Sequence, residues 1–413
     1  MFIVPSSYGA LSATSANTIQ GHKPGFSGQS GAKKLGFKVG NITYSEANPV
    51  LGGSNTDKDK IVPGTPKEFE KTLKLSEFRV QGLTVSDFSV ATDYYDADGD
   101  DAHPSTPFSV VGGVSHKWFD GNGAEITDEN KMVGCSGLRQ PLTLKINLVA
   151  QSHSKYGDPR DSDSAGLEQR YQIKAPTSGF CFAKPNSSDW WDSNGSGNRN
   201  RGNVTPHQYY GGGYNAEQFV PNYGFKASLS PAFPTTGFVG AEFTLMMIGN
   251  VNDYTFTHNG GTSITLNTTT GKVTLNSKPG GAVTITATKN GMPHYYTFNP
   301  ALWVRPSGTS TGIYGWANGQ CGGVSKIPSR LQLTSASFAS YYTRAVGGGV
   351  FGEWGSATGG TSGTYPGSQW YSGNMVYWTR EPNFTDRFVV HSTSGGVAWS
   401  APSSYSYCVA CLE

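Results

Sequence analysis

Between Leu142 and Leu148 the apolar residues alternate strictly with Thr143, Lys145 and Asn147, the period-two pattern of a strand with one face buried. The same alternation recurs more loosely through Phe78, Val80, Leu83, Val85, Phe88 and Val90. It returns from Phe108 to Val111 and on to Trp118 and Phe119, where Asp120-Gly121-Asn122-Gly123 supplies a hairpin turn. From Gly240 onward short strands follow in quick succession: 240–245, 254–256, 264–266, 272–275, 283–287 and 295–298, each set off by Gly, Asn or Pro. That spacing predicts a sandwich. No window sustains apolar residues at i, i+3, i+4 and i+7, so little helix is expected and the fold class is all-β.

A chain of 413 residues is long for one core, and two or three domains are expected. Residues 1–72 are rich in Gly, Ser, Asn and Lys and read as a linker or peripheral strands, with Phe37, Val39 and Ile42 near strand spacing. Residues 73–232 read as a β-sandwich, 233–300 as an Ig-like sandwich, and 301–413 as a separate terminal module holding six of the nine tryptophans. The formal net charge of +2 gives no argument for nucleic acid or an anionic membrane surface. No apolar run approaches the roughly 20 residues of a membrane-spanning helix, and the first residues lack the pattern of a signal peptide. The expectation is an internal section with an added Met, its membrane anchor outside the chain.

The five cysteines suggest an oxidising compartment. Cys135 and Cys181 fall within one expected domain, and Cys321 and Cys408 within another, so these two pairs are the expected disulfides. Closing the loop from Cys321 to Cys408 would stabilise the module by about 4 to 5 kcal/mol on the chain-entropy model. Cys408-Val409-Ala410-Cys411 has C-x-x-C spacing, but neither a βαβ context nor a second ligand pair accompanies it. Cys411 is read as the spare cysteine.

The runs Thr270-Gly271-Lys272-Val273-Thr274-Leu275 and Val283-Thr284-Ile285-Thr286-Ala287-Thr288 resemble the bacterial Ig-like group 2 domain. Behind them come Trp303, Cys321, Pro328-Ser329-Arg330, Glu353-Trp354-Gly355, Trp370, Tyr377-Trp378-Thr379 and Tyr407-Cys408. Their order resembles the C-type-lectin-like domain of the intimin/invasin adhesins of Gram-negative bacteria, which in that family follows an Ig-like domain directly. The resemblance covers residues 235–413, and the preceding part resembles an adhesion domain repeated in large enterobacterial surface proteins. It implies a monomeric surface adhesin, outer-membrane-anchored or secreted, that attaches to a host or neighbouring-cell protein or glycan. The alternative is a carbohydrate-binding module of a secreted protein or enzyme.

The resemblance also sorts the aromatics of the terminal module. Trp303, Trp354 and Trp378 match family core positions, which leaves Tyr365, Trp370, Tyr371 and Arg380 as loop candidates for ligand contact. In the first part of the chain Trp190, Trp191, Tyr209 and Tyr210 sit in a Gly- and Asn-rich loop and can form a flat stacking surface, unless one tryptophan caps the core beside Cys181. Asp93, Asp96, Asp98 and Asp100 can offer carboxylates to calcium, although the EF-hand spacing fails and a solvated acidic loop is the simpler reading. Glu381-Pro382-Asn383 matches a tripeptide that ligates calcium and sugar in true C-type lectins, but the later Trp-Asn-Asp strand is missing. The invasin branch engages integrins through an exposed Asp; between Cys321 and Cys408 this chain has only Asp386, which puts an integrin receptor in doubt. H-E-x-x-H, G-x-S-x-G, P-loop and Rossmann patterns are all lacking, so no enzymatic activity is expected.

Overall fold

The computed structural model describes residues 21–47, 61–186 and 213–413. Contacts divide the chain into two compact units, Met1–Val133 with Leu138–Ala175, and Gly134–Gly137 with Pro176–Glu413.

The first unit is built on a five-stranded sheet in the order Lys67–Glu68, Ala165–Lys174, Leu142–Ser152, Phe108–Phe119 and Glu125–Ile126. Leu142, Leu144, Ile146, Leu148 and Ala150 are buried, and the residues between them are not, as period-two alternation requires. A three-stranded sheet of Ile42–Ser45, Gly36–Val39 and Arg79–Gln81 belongs to the same core. The described residues of the expected linker are therefore part of the domain: Phe26, Leu35, Phe37, Tyr44, Ile61 and Phe69 are all buried. Phe37 lies 5.3–6.0 Å from the rings of Tyr44, Phe69, Phe78 and Tyr171, and the Tyr171 hydroxyl donates to the carbonyl of Leu35 at 2.5 Å. Aromatic rings bury enough area that one or two per short strand suffice, which is why this segment looks polar in sequence. The run from Phe78 to Val90 likewise forms only the strand Arg79–Gln81, because Thr84 and Asp87 close a turn in which the Thr84 amide donates to the Asp87 carboxylate at 2.8 Å. Val85 and Val90 are left exposed.

In the second unit a six-stranded sheet runs Phe219–Val220, Gly224–Lys226, Phe180–Pro185, Ala241–Met247, Lys272–Leu275, Ile264–Asn267. A three-stranded sheet of Thr255–His258, Val283–Lys289 and Met292–Phe298 completes the Ig-like sandwich, with Phe243, Leu245, Val273, Ile285, Tyr296 and Phe298 in one core. The sandwich begins well before the expected boundary at 233. Phe180–Pro185 pairs with both Gly224–Lys226 and Ala241–Met247, and Cys135–Cys181 ties residues 134–137 to that strand rather than pinning a separate 73–232 domain. The signal is the run Phe180-Cys181-Phe182-Ala183, buried at every position as a central strand is.

The lectin-like part adds the sheets Thr236–Gly237, Leu302–Pro306, Ala410–Leu412 and Val376–Asn383, Asp386–His391, Val397–Ser400, with helices Tyr314–Cys321, Arg330–Leu333 and Gly349–Trp354. The expected boundary at 301 is not a break in packing, since Phe233, Phe238 and Phe298 share one cluster with Trp303, Trp354, Tyr365 and Trp370. Glu353 locks this join. It is fully buried, and its carboxylate accepts from the amides of Thr235 (2.9 Å), Thr236 (2.8 Å) and Gly347 (2.9 Å) and from both threonine hydroxyls. The Trp354 indole donates to the Thr236 carbonyl at 3.1 Å.

Contrary to expectation, the second disulfide joins Cys321 to Cys411, and Cys408 is a buried thiol. The reason is strand parity: Cys408 and Ala410 face the large core, whereas Val409 and Cys411 face the cluster of Tyr314, Ala317 and Trp378 around the helix that carries Cys321. Non-reduced peptide mapping is expected to link Cys321 with Cys411, and a Cys321–Cys408 peptide would contradict the packing. Burial raises the Cys408 pKa, so alkylation of Cys408 is expected only after unfolding.

Candidate functional site: an exposed hairpin tip and aromatic surface

The hairpin Val376–Asn383/Asp386–His391 pairs Asn383 with Asp386, leaving Phe384 and Thr385 as its two-residue turn. Phe384 has φ 56°, a conformation that such turns ordinarily give to Gly or Asn, and its side chain is 99% exposed. A phenylalanine that packs against none of the described residues and sits in a disfavoured backbone region does not serve the fold. The hairpin beneath it is braced: Arg387 donates to the Arg380 carbonyl at 2.8 Å, its guanidinium lies 4.5 Å over the Tyr314 ring, and Glu381 accepts from the Arg330 amide at 2.8 Å. The ring is thus presented on a preorganised support. Pro382 and Asn383 are engaged in the strand ladder, so the lectin-type tripeptide is taken up by structure.

A second aromatic surface lies on the neighbouring strand. Phe338 and Trp399 stack at 4.1 Å, 21° from parallel, and remain 49% and 47% exposed. Trp399 lies opposite Phe388 in the ladder, and Arg330 sits 5.8 Å over the Phe388 ring. Exposed aromatic and Arg side chains of this kind anchor protein interfaces.

The contact residues expected from sequence are placed differently. Tyr365 and Trp370 are core residues and not loop contacts: the Tyr365 hydroxyl donates to the Trp354 carbonyl at 2.6 Å, and the Trp370 ring lies 5.0 Å from Tyr377. The loop curls inward because its aromatics complete the cluster around Phe238. Tyr371 and Arg380 are half-buried, Arg380 on the braced hairpin and Tyr371 packed on the core edge. Trp303, Trp354 and Trp378 are buried. Trp190, Trp191, Tyr209 and Tyr210 lie outside the described residues. Phe384, Phe338 and Trp399 were not singled out in the sequence. Only the turn-like Asn383-Phe384-Thr385-Asp386 between two apolar runs hinted that a ring there has no strand face to cover it.

In the first unit the acidic segment separates into two parts. Asp93 is buried and structural, accepting from the amides of Ser30 (3.0 Å) and Ser89 (2.8 Å), so it is no metal ligand. Asp96, Asp98 and Asp100 do converge, with ligand atoms within 4.8 Å of one another. The His22 amide donates to Asp98 at 2.7 Å, the Asp98 amide donates to Asp96 Oδ1 at 3.0 Å, and among the described residues Asp96 Oδ2 is buried without a partner. Three carboxylates plus water suit a hard cation. Calcium is accordingly expected to raise the thermal midpoint relative to EDTA, an effect absent in Asp98→Asn; equal midpoints would leave a plain acidic turn.

Comparison with known proteins follows the same division. Residues 212–298 match the family model "Invasin, domain 4", starting upstream of residue 233 as the sheet does. Invasin of Yersinia enterocolitica is 32% identical over 201 residues, covering 47% of this chain and 22% of that protein; the chain spans about a fifth of the length of this curated relative. The crystal structure of invasin, a bacterial integrin-binding protein, aligns with 76% of this chain and 61% of its own at 18% identity, TM-score 0.40. A C-terminal 282-residue fragment of intimin, in complex with the intimin-binding domain of the translocated intimin receptor, aligns with 78% and 95% at 14% identity, TM-score 0.34. The sequence matches, not these superpositions, carry the relationship.

Proposed function

We propose, from its sequence similarity to invasin, that this chain is the ligand-binding part of a bacterial surface adhesin that attaches to a protein on a host or neighbouring cell. The observation that carries this reading is Phe384, a fully exposed ring in a backbone conformation unfavourable to it, held on a braced hairpin. Inserted into an apolar socket on a partner, such a ring would add its whole buried area to binding while losing little side-chain freedom. The Ig-like sandwich and the lectin-like part act together as a rigid presenter, since they share one core and the Glu353 lock. The location is the outer surface of the bacterium, as for the invasin-like relatives. Beads coated with the purified chain are expected to adhere to epithelial cells, and soluble chain to compete. Equal adhesion of Phe384→Ala beads would remove the hairpin from the account, and no adhesion to any cell type would remove the adhesin reading.

A further inference from the structure

We propose that the groove between residues 339–341 and 391–397 binds a neutral saccharide unit, with the stacked Phe338–Trp399 pair as its platform. The groove encloses about 370 Å³, at the lower end of the roughly 300–1,000 Å³ range of small-molecule sites. Among the described residues its lining is uncharged and mixed: Ser340, Asn374, His391, Thr393 and Ser394 supply polar groups beside Ala339, Tyr341, Gly396 and Val397. Among the described residues a charged ligand would find no counter-ion there, whereas a ligand rich in hydroxyls would find matching donors and acceptors.

Part of that capacity is unused. Asn374 Oδ1 accepts from the Thr393 hydroxyl at 2.7 Å; among the described residues its amide nitrogen has no partner, and neither ring nitrogen of His391 has one. Burial lowers the His391 pKa, so the ring is neutral at pH 7 and offers one donor and one acceptor. The platform adjoins these groups. Phe338 is bonded to Ala339 and bridged to Val397, both of which line the groove, and Trp399 is two residues along the same strand face. A pyranose pairs an apolar C–H face with a hydroxyl rim, which is the combination of surfaces assembled here: a flat half-exposed aromatic pair beside unpaired amide and imidazole groups. This site is distinct from Phe384. Val376 pairs with His391 at one end of the hairpin and Asn383 with Asp386 at the other, a separation of roughly 20 Å at about 3.3 Å per residue.

The test is ligand-observed saturation-transfer NMR on the full chain. The probes are the methyl glycosides of galactose, glucose, mannose, N-acetylglucosamine and N-acetylgalactosamine, with N-acetylneuraminic acid as anionic control. At about 10 mM, a range that detects dissociation constants near 1 mM, at least one neutral glycoside is expected to bind. Trp399→Ala and Asn374→Ala are each expected to weaken that binding tenfold or more while leaving the thermal midpoint near wild type. Asn374 is exposed and carries the test should Trp399→Ala fold poorly. The proposal is overturned if no neutral glycoside binds, if binding survives both substitutions, if only the anionic sugar binds, or if binding is lost in Trp190→Ala and retained in Trp399→Ala. Phe384→Ala is expected to keep saccharide binding and lose cell adhesion, so the two readings fail separately.

Discussion

Replacing Glu353 with alanine is expected to destabilise the second unit by about 3 to 5 kcal/mol, the range for breaking a buried charged network. The carboxylate is the common acceptor for three backbone amides and two hydroxyls, and its removal strands all of them in a site that excludes water. Thr236 begins, and Thr235 precedes, the strand Thr236–Gly237, which pairs with Leu302–Pro306, so the loss would loosen the join between the Ig-like and lectin-like parts. Urea unfolding followed by tryptophan fluorescence would read this directly; a change below about 1 kcal/mol would show that water replaces the lock. Glu353→Gln keeps the volume but turns an amide toward donors, and an intermediate loss is expected. Burial holds the Glu353 carboxyl above its ordinary value of 4.5. A raised acid contributes stability below its unfolded pKa and loses it as pH rises through the folded one. The wild type should therefore gain on Glu353→Gln as pH falls toward 4.5.

Phe384 should behave in the opposite way. Phe384→Ala is expected to leave the thermal midpoint unchanged, because a side chain that is 99% exposed contributes no packing. Phe384→Gly is expected to raise stability by up to about 1 kcal/mol, since the left-handed conformation costs an L residue roughly 1–2 kcal/mol and glycine adopts it freely. Its flexible unfolded state offsets part of that gain. Both substitutions should reduce cell adhesion tenfold or more, as expected of an interface anchor worth about 2 kcal/mol. Loss of stability without loss of adhesion would reverse the assignment and make the ring a fold element.

Local patterns in the chain were enough to identify some elements. Alternation over 142–150 and through 241–247, 272–275 and 283–289 reports directly which face of each strand meets a core, because side chains on a strand change face at every residue. The order of the Trp and Cys positions sufficed for a resemblance to the intimin/invasin adhesins, and the tryptophans at 303, 354 and 378 were legible as core.

Other features depend on what distant segments bring together. Phe37 and Tyr44 become core only when Tyr171, more than a hundred positions away, supplies the opposing ring. The aromatic loop residues Tyr365 and Trp370 turn inward because Phe238 of the Ig-like part leaves a surface for them to cover. Cys408 and Cys411 are equivalent as letters; the helix bearing Cys321 packs on one face of their strand and thereby selects Cys411. Phe384 is a plain apolar residue in sequence, and its exposure exists only because the hairpin ends beneath it. Periodicity and residue order therefore settled the most regular strands, the all-β class and the resemblance to known adhesins. Burial, disulfide partners and the candidate contact surface were left to tertiary packing, because each depends on a neighbour that no local pattern encodes.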